Sequence, residues 1–248
     1  MSIAADLLLA LDPVAFAQAS GVEPDDWQRA VLRSSASRLL LNVTRQGGKS
    51  STVATLAAHT AIFQPGSLTL IVSPSQRQSA ETFRKVLTVY RAAGKPVPAE
   101  AESVLALTLA NGSRVLALPG AESTLRGYSG VALLILDEAA RILDDLYYSL
   151  RPMLAVSGGR MVALSTPFGA RGWFYEAWRG DEPWERYEVP ATACPRISAA
   201  FLAEEERNMG QWWFKQEYLC SFEDAQTQVF TRAEVDRAFA EEVETWEL

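Results

Sequence analysis

Two stretches of this sequence carry residue types that suit phosphate chemistry, and the first is the run Thr-Arg-Gln-Gly-Gly-Lys-Ser at 44–50. An apolar run precedes it and a helix-like run follows it. Glycines let backbone N–H groups turn inward around phosphate oxygens, and a helix N-terminus adds partial positive charge. This order predicts a phosphate-binding P-loop, in which Gly47 and Gly48 shape the turn, Lys49 reaches the β- and γ-phosphates and Ser50 holds Mg²⁺.

The loop departs from the usual spacing of this motif. Val43 stands where the first glycine belongs, five residues before Gly48. Arg45 and Gln46 inside the loop indicate a specialised variant. The alternative is a surface turn that happens to contain Gly-Gly-Lys-Ser, and the second stretch decides between the two interpretations.

That second stretch is an apolar run at 131–136 that ends in Asp137-Glu138. In open α/β sheets, residues at the carboxyl ends of strands face the ligand. We therefore expect Asp137 to hold Mg²⁺ through water and Glu138 to polarise an attacking water. A strand followed by an acidic helix cap has the same sequence pattern, but the P-loop upstream favours a nucleotide site.

Two other polar residues are weaker candidates. Gln28 begins a helix-like stretch after an aspartate cap, and a side-chain amide can pair with both edges of adenine. A partly exposed helical glutamine is the alternative. Thr166 ends the apolar run 160–165, where its hydroxyl could contact the γ-phosphate or the attacking water, although Ser-Thr-Pro is also an ordinary strand exit.

The elements that must position these residues alternate between apolar strands and helices. Strands are predicted at 39–43, 68–72, 104–109, 114–118, 131–136, 160–165 and 184–189, and helices at 51–63, 75–93, 142–150, 169–179, 198–209 and 211–218. Asn111-Gly112 predicts a hairpin between two of the strands. The fold expected is α/β, a mostly parallel central sheet flanked by helices with an antiparallel hairpin.

Composition narrows the function classes. Of 248 residues 48% are hydrophobic, and no apolar run approaches the ~20 residues that a membrane span needs. No positive region precedes residues 7–9, so we expect no signal peptide. The net charge of −7 argues against tight DNA binding by this chain alone. We interpret Cys194 and Cys220 as reduced core thiols, and His59 as a packed or surface residue.

These motifs together resemble the large terminase subunit of tailed bacteriophages and their prophage relatives, over its N-terminal packaging ATPase domain. The resemblance spans residues 27–230, and the ordered set explains the missing glycine because the family places an Arg-Gln pair in the loop. Its parts are Trp27-Gln28, Arg45-Gln46-Gly47-Gly48-Lys49-Ser50, Val72-Ser73-Pro74-Ser75-Gln76, Leu118-Pro119-Gly120, Arg126-Gly127-Tyr128, Leu136-Asp137-Glu138-Ala139, Ser165-Thr166-Pro167 and the run FKQEYLCSF at 214–222.

The resemblance implies a P-loop NTPase of the ASCE type that uses ATP and Mg²⁺ to drive double-stranded DNA through a portal into a procapsid. Arg45 would contact the γ-phosphate, Gln46 would belong to the nucleotide-binding loop, and Thr166 would couple hydrolysis to movement. Arg126 would act in trans on a neighbour's ATP; a loop arginine paired to an acid is the alternative. The implied partners are the portal protein, the small terminase subunit and other copies in a ring, commonly a pentamer, with a monomer expected in isolation and the host cytoplasm as location.

Residues 1–230 are accordingly assigned to the ATPase domain, with a helical segment at 1–26, and residues 231–248 to a helix or linker. Large terminases carry a C-terminal nuclease domain of the RNase H type beyond this point, so we expect no DNA cleavage from this chain. Basic residues at 77–95 would contact DNA or form a solvated face. A superfamily 2 helicase-like translocase and a nucleotide-gated portal- or DNA-binding module with little hydrolysis are the competing functions.

Overall fold

In a computed structural model of the protein, residues 3–120, 127–224 and Arg237 are described. The described chain forms an eight-stranded sheet in the order β3-β4-β5-β2-β6-β7-β1-β8. The strands are β1 Arg38–Val43, β2 Leu68–Ser73, β3 Ala99–Glu102, β4 Ala106–Leu109, β5 Arg114–Pro119, β6 Val131–Asp137, β7 Arg160–Ser165 and β8 Glu185–Val189. From β5 to β8 all neighbours pair in parallel, and β4 runs antiparallel to both β3 and β5.

Helices cover both faces of the sheet. They are α1 Ile3–Leu11, α2 Pro13–Ala19, α3 Asp26–Arg33, α4 Lys49–Phe63, α5 Gln76–Ala92, α6 Asp144–Leu150, α7 Gly172–Arg179, α8 Ala199–Met209 and α9 Gln211–Tyr218. Successive strand residues point to opposite faces. In β1, Leu39 and Leu41 accordingly pack with α2 to α5, whereas Leu40 packs with α6 and α7. This two-sided burial explains why the parallel strands are continuous apolar runs.

The order of the central strands decides where the polar residues meet. Strand β7 lies between β1 and β6, and its Leu164 pairs with Leu41 on one side and with Asp137 on the other. With neighbouring strands about 4.8 Å apart, the carboxyl ends of β1 and β6 are roughly 10 Å apart. The sheet therefore leaves a gap of nucleotide width between the P-loop and the two acids, and the expected α/β fold is confirmed.

The predicted hairpin is confirmed, with a first strand two residues shorter than expected. Asn111 and Gly112 turn β4 into β5, and the Asn111 amide donates to the carbonyl of Ala61 at 2.9 Å, which fixes the turn against the end of α4. Strand β3 was not predicted, because its sequence Ala-Glu-Ala-Glu is fully exposed and has low strand propensity. Strand β3 forms only because it pairs with β4.

The N-terminal segment is helical, as predicted, and forms two short helices with the break at Asp12-Pro13. Asp12 caps α2 by accepting the N–H of Val14 at 2.9 Å, and its carboxylate also accepts two hydrogen bonds from Arg33 of α3 at 3.1 and 2.6 Å. No helix in the described ranges is both long and apolar enough to cross a bilayer. The division at residue 230 and the predicted C-terminal helix lie outside the described residues, Arg237 excepted.

The Asp12 contacts give a pH-dependent prediction. The hydrogen bond from Arg33 holds the pKa of the Asp12 carboxyl below its usual value, so its stabilising effect is present above about pH 4 and is lost as the pH falls through the folded-state pKa. Asp12→Ala is expected to lower the free energy of unfolding by about 1 kcal/mol at pH 7. Urea titrations should show the difference shrinking at pH 3, and the exposed Asp181→Ala should show neither effect; a pH-independent loss would contradict the account.

Candidate nucleotide-binding site

The loop between β1 and α4 has the backbone of an anion site. Gln46 and Gly48 adopt positive φ angles of 57° and 95°, which turn the chain tightly before Lys49 begins α4. Within the described residues, the N–H groups of Gln46, Gly48, Lys49 and Ser50 donate to no other protein group. Four N–H donors at the N-terminus of a 15-residue helix suit a phosphate group.

The unusual Val43 fits this loop because it extends β1 rather than entering the turn. It is fully buried and pairs with Val189 of β8. A Cβ atom at Gly47 would lie 2.7 Å from the Val43 side chain, so the glycine that the turn needs is Gly47. The departure from the usual spacing therefore leaves the loop intact.

Neighbouring elements hold the loop in this conformation. The N–H of Thr44 donates to the carbonyl of Val189 at 3.0 Å. The N–H of Arg45 and the hydroxyl of Thr44 both donate to the backbone carbonyl of Glu217 in α9, at 3.3 and 3.1 Å. Strand β8 and helix α9 thus fix the start of the P-loop.

Gln28 lies against the other end of the loop and is buried. Its amide oxygen accepts the N–H of Asp25 at 2.8 Å, and its amide nitrogen donates to the Gly48 carbonyl at 3.3 Å and to the Thr52 hydroxyl at 3.0 Å. The amide thus caps α3 and ties it to the P-loop. These contacts place Gln28 beside the loop, as predicted, and its pairing with adenine stays a prediction.

Arg196 also contacts the loop, and sequence reasoning missed it. Its guanidinium donates to the Gly47 carbonyl at 3.1 Å and to Asp25 at 2.8 Å. The residue lies after β8 in a stretch without a motif, so only the fold brings it to the site. Arg196 also lines a cavity of about 300 Å³ beside Arg45 and Gln46.

The two acids lie opposite the loop. Asp137 is 4% exposed and accepts hydrogen bonds from the Thr82 hydroxyl and, at 3.0 Å, from the N–H of Glu138. Burial raises the pKa of Asp137, and the charge of Lys49 acts in the opposite direction. The Lys49 ammonium lies 4.0 Å from the Glu138 carboxylate. The P-loop lysine and the tandem acids therefore meet, as the sequence predicted.

Glu138 is held in an unusual conformation. Its backbone φ of 55° is in the left-handed region, which residues other than glycine rarely adopt. The Arg141 guanidinium donates to its carboxylate at 2.9 Å and lies 4.6 Å from the centre of the Phe168 ring. Non-glycine residues in such strained conformations cluster at functional sites. The strain thus supports the assignment of Glu138.

The polar atoms at this edge of the sheet fit a magnesium ion. Mg²⁺ prefers oxygen ligands and binds through one or two carboxylates together with substrate phosphates. The Asp137 carboxylate is buried, and the buried hydroxyls of Ser73 and Ser165 have no hydrogen-bond partner among the described residues. Ser50, which follows Lys49 in the first turn of α4, supplies the hydroxyl that the motif requires.

Three predicted site residues remain, Thr166, Arg126 and Arg45. Thr166 is 1% exposed and directly follows β7, between the two strands that carry the loop and the acids. Arg126 lies outside the described residues, so its role stays a prediction. Arg45, expected at the γ-phosphate, is 64% exposed and its Nε lies 2.9 Å from the Glu217 carboxylate. Neither this contact between Arg45 and Glu217 nor the contact between Arg141 and Glu138 was predicted.

Comparison with known proteins identifies the family. A model of the large terminase subunit, T4likevirus-type, N-terminal, matches residues 40–237. This chain belongs to the large terminase family. The large terminase subunit of Thermus virus P23-45 is 31% identical over an alignment of 188 residues, and the match covers 66% of this chain and 39% of that protein. The chain therefore spans about two-fifths of the curated relatives' length.

Solved terminase structures share the fold. The ATPase domain of the Thermus phage P74-26 large terminase superposes with a TM-score of 0.76 at 26% identity, covering 84% of this chain and 97% of that domain. The large terminase of bacteriophage D6E in complex with ADP gives a TM-score of 0.66 at 11% identity, covering 81% of this chain and 54% of that protein. The second likeness is one of fold alone.

The contact between Gln28 and the loop is testable through Gly48. A Cβ atom at this position would lie 2.6 Å from the Gln28 amide nitrogen and would displace it from the Gly48 carbonyl and Thr52. Gly48→Ala is therefore expected to lower the free energy of unfolding by roughly 1–2 kcal/mol more than Gly66→Ala. Gly66 also has a positive φ but no atom near its Cβ position. Equal losses in thermal and urea unfolding would contradict this role for Gln28.

Proposed function

We propose that this chain is the ATPase motor domain of a viral large terminase, which couples ATP hydrolysis to translocation of double-stranded DNA into a procapsid. The observation that supports it most is the 4.0 Å approach of Lys49 to Glu138 beside a loop in which four N–H groups donate to no partner among the described residues. The similarity to an ATPase domain over 97% of that domain's length supports the same activity.

In this proposal the loop and Lys49 bind the triphosphate. Phosphate oxygens accept hydrogen bonds from the loop N–H groups, and Lys49 exchanges its contact with Glu138 for the β- and γ-phosphates. Ser50 and Asp137 would hold Mg²⁺, which neutralises charge on these phosphates when bound. A buried carboxylate with a raised pKa gains most from a nearby cation, which suits Asp137 to this role.

Glu138 then activates the attacking water. Its carboxylate accepts a proton from the water as the water oxygen bonds to the γ-phosphorus, while the bond from that phosphorus to the β–γ bridging oxygen breaks and ADP leaves. Thr166, between the loop and the acids, orients that water or contacts the γ-phosphate. Arg45 and, from a neighbouring subunit, Arg126 would stabilise charge on the transferring group, an effect worth ~10³–10⁵ in rate for an arginine supplied across an interface.

The partners follow from this role. They are double-stranded DNA, the portal protein, the small terminase subunit and other copies of the chain, which assemble as a pentameric ring in the cytoplasm of an infected host. We further propose that the chain itself cuts no DNA, which a nuclease assay with Mg²⁺ or Mn²⁺ checks. The family match favours this motor over a superfamily 2 helicase-like translocase.

Two substitutions separate binding from chemistry. Lys49→Ala is expected to weaken ATP binding at least tenfold, because the loop loses its fixed positive charge. Glu138→Ala is expected to bind ATP normally and hydrolyse it about 10²–10⁴-fold more slowly. Equilibrium binding of a fluorescent ATP analogue and phosphate release measure the two effects, with Lys85→Ala and Glu81→Ala on α5 as controls. Hydrolysis by Glu138→Ala at the parental rate would refute its assigned role.

The trans action of Arg126 predicts a dependence on assembly. The ATPase rate per subunit is expected to rise with protein concentration, because a monomer lacks its neighbour's arginine. Mixing Arg126→Ala with Glu138→Ala subunits should restore hydrolysis, since the first supplies an intact site and the second an intact arginine. If the rate per subunit is high and constant with concentration, and mixed subunits do not restore hydrolysis, Arg126 is instead a loop arginine paired to an acid.

A further inference from the structure

Glu217 contacts the nucleotide site from an element that carries none of its motifs. The residue lies near the end of α9 and is 7% exposed. Its backbone carbonyl accepts both the Thr44 hydroxyl and the Arg45 N–H. Glu217 therefore already fixes the start of the P-loop through its main chain.

The side chain of Glu217 lies between two guanidinium groups. Arg45 Nε is 2.9 Å from one carboxylate oxygen and Arg141 Nη2 is 3.7 Å from the other. The two guanidinium groups therefore offset part of the cost of burying this carboxylate. Arg45 is much more exposed than Arg141, with 64% against 26% of the side chain accessible.

Both arginines also serve the active site. Arg141 donates to the Glu138 carboxylate at 2.9 Å, and Arg45 belongs to the loop that would hold the triphosphate. Charges thus alternate along the series Lys49, Glu138, Arg141, Glu217 and Arg45. Glu217 consequently competes with phosphate for Arg45 and with Glu138 for Arg141.

We infer that Glu217 is a positioning residue of the ATPase site, which holds Arg45 away from the triphosphate until ATP binds and shares Arg141 with Glu138. The inference rests on the proposed function, because it assigns Glu217 an effect on both nucleotide binding and hydrolysis. It acts through the two arginines and does not touch the substrate.

The direction of its effects distinguishes positioning from ordinary structural support. Removing the Glu217 charge frees Arg45 for the γ-phosphate and removes a negative charge near the site, so ATP binds more tightly. The same change leaves Arg141 paired with Glu138 alone, so the guanidinium holds the carboxylate more firmly away from the attacking water and hydrolysis slows. A role that is only structural would instead weaken ATP binding and slow hydrolysis together.

The test is Glu217→Gln, which keeps the side-chain volume and removes the charge. We expect KM for ATP and the dissociation constant of a nonhydrolysable ATP analogue to fall about three- to tenfold, and kcat to fall by a similar factor, at an unchanged melting temperature. ADP affinity should change less, because ADP lacks the γ-phosphate. Glu205→Gln is the matched control, since its carboxylate accepts the Tyr218 hydroxyl at 3.0 Å without reaching the loop.

The tighter ATP binding must depend on Arg45. In the double variant Arg45→Ala/Glu217→Gln the gain in ATP affinity is expected to vanish, which a double-mutant cycle measures. Weaker ATP binding by Glu217→Gln, unchanged kinetics, or a gain that survives Arg45→Ala would each overturn the inference. If Glu217→Gln does not fold, Glu217→Asp replaces it and must shift ATP affinity and kcat in the same directions by at least twofold.

The failures of the two proposals are distinguishable. If the parental protein binds no ATP, the proposed function itself is wrong. If the parental protein binds and hydrolyses ATP and Glu217→Gln has the same KM, kcat and dissociation constant, only the role of Glu217 is wrong.

Discussion

A constraint on charge organises the site: a lysine and two carboxylates must face one another across a gap that a triphosphate can enter. Strand β7 creates this gap by separating β1 from β6, and the Lys49 ammonium spans it to lie 4.0 Å from Glu138. Removal of β7 would bring the strands to about 4.8 Å and close the gap.

Keeping such a site costs free energy that the rest of the fold offsets. Asp137 is buried with a raised pKa, and Glu138 adopts a left-handed backbone conformation. Each departure of this kind costs of the order of 1–3 kcal/mol. Two extensive apolar clusters, one on each face of the sheet, supply the compensation. The loop itself is held by Arg196, Gln28 and the Glu217 carbonyl, which leave its N–H groups available.

The sequence identified the parts of the site that follow directly from local pattern. Three segments combine a residue signature with a fixed spacing: the loop before α4, the acids after β6 and the hairpin at Asn111-Gly112. Their positions in the fold were predicted correctly. Strand β3 was missed because its exposed Ala-Glu-Ala-Glu has no strand pattern and is formed by pairing alone. Nothing in the local sequence indicated that strand.

The supporting residues were missed for a different reason. Arg141 lies three positions after Glu138, a spacing at which side chains in a helical turn meet, and that signal was available. Arg196 and Glu217 reach the loop from positions about 150 and 170 residues away in sequence, and only the tertiary fold shows this. Thr82 likewise reaches Asp137 from a helix, α5, whose sequence shows only amphipathic packing.

The most direct test of the account is a crystal structure with Mg²⁺ and a nonhydrolysable ATP analogue. The account requires the β- and γ-phosphates to lie in the loop within hydrogen-bond distance of Lys49, and the metal ion to lie between Ser50 and Asp137. A nucleotide bound elsewhere on the sheet, with Lys49 still beside Glu138, would contradict it.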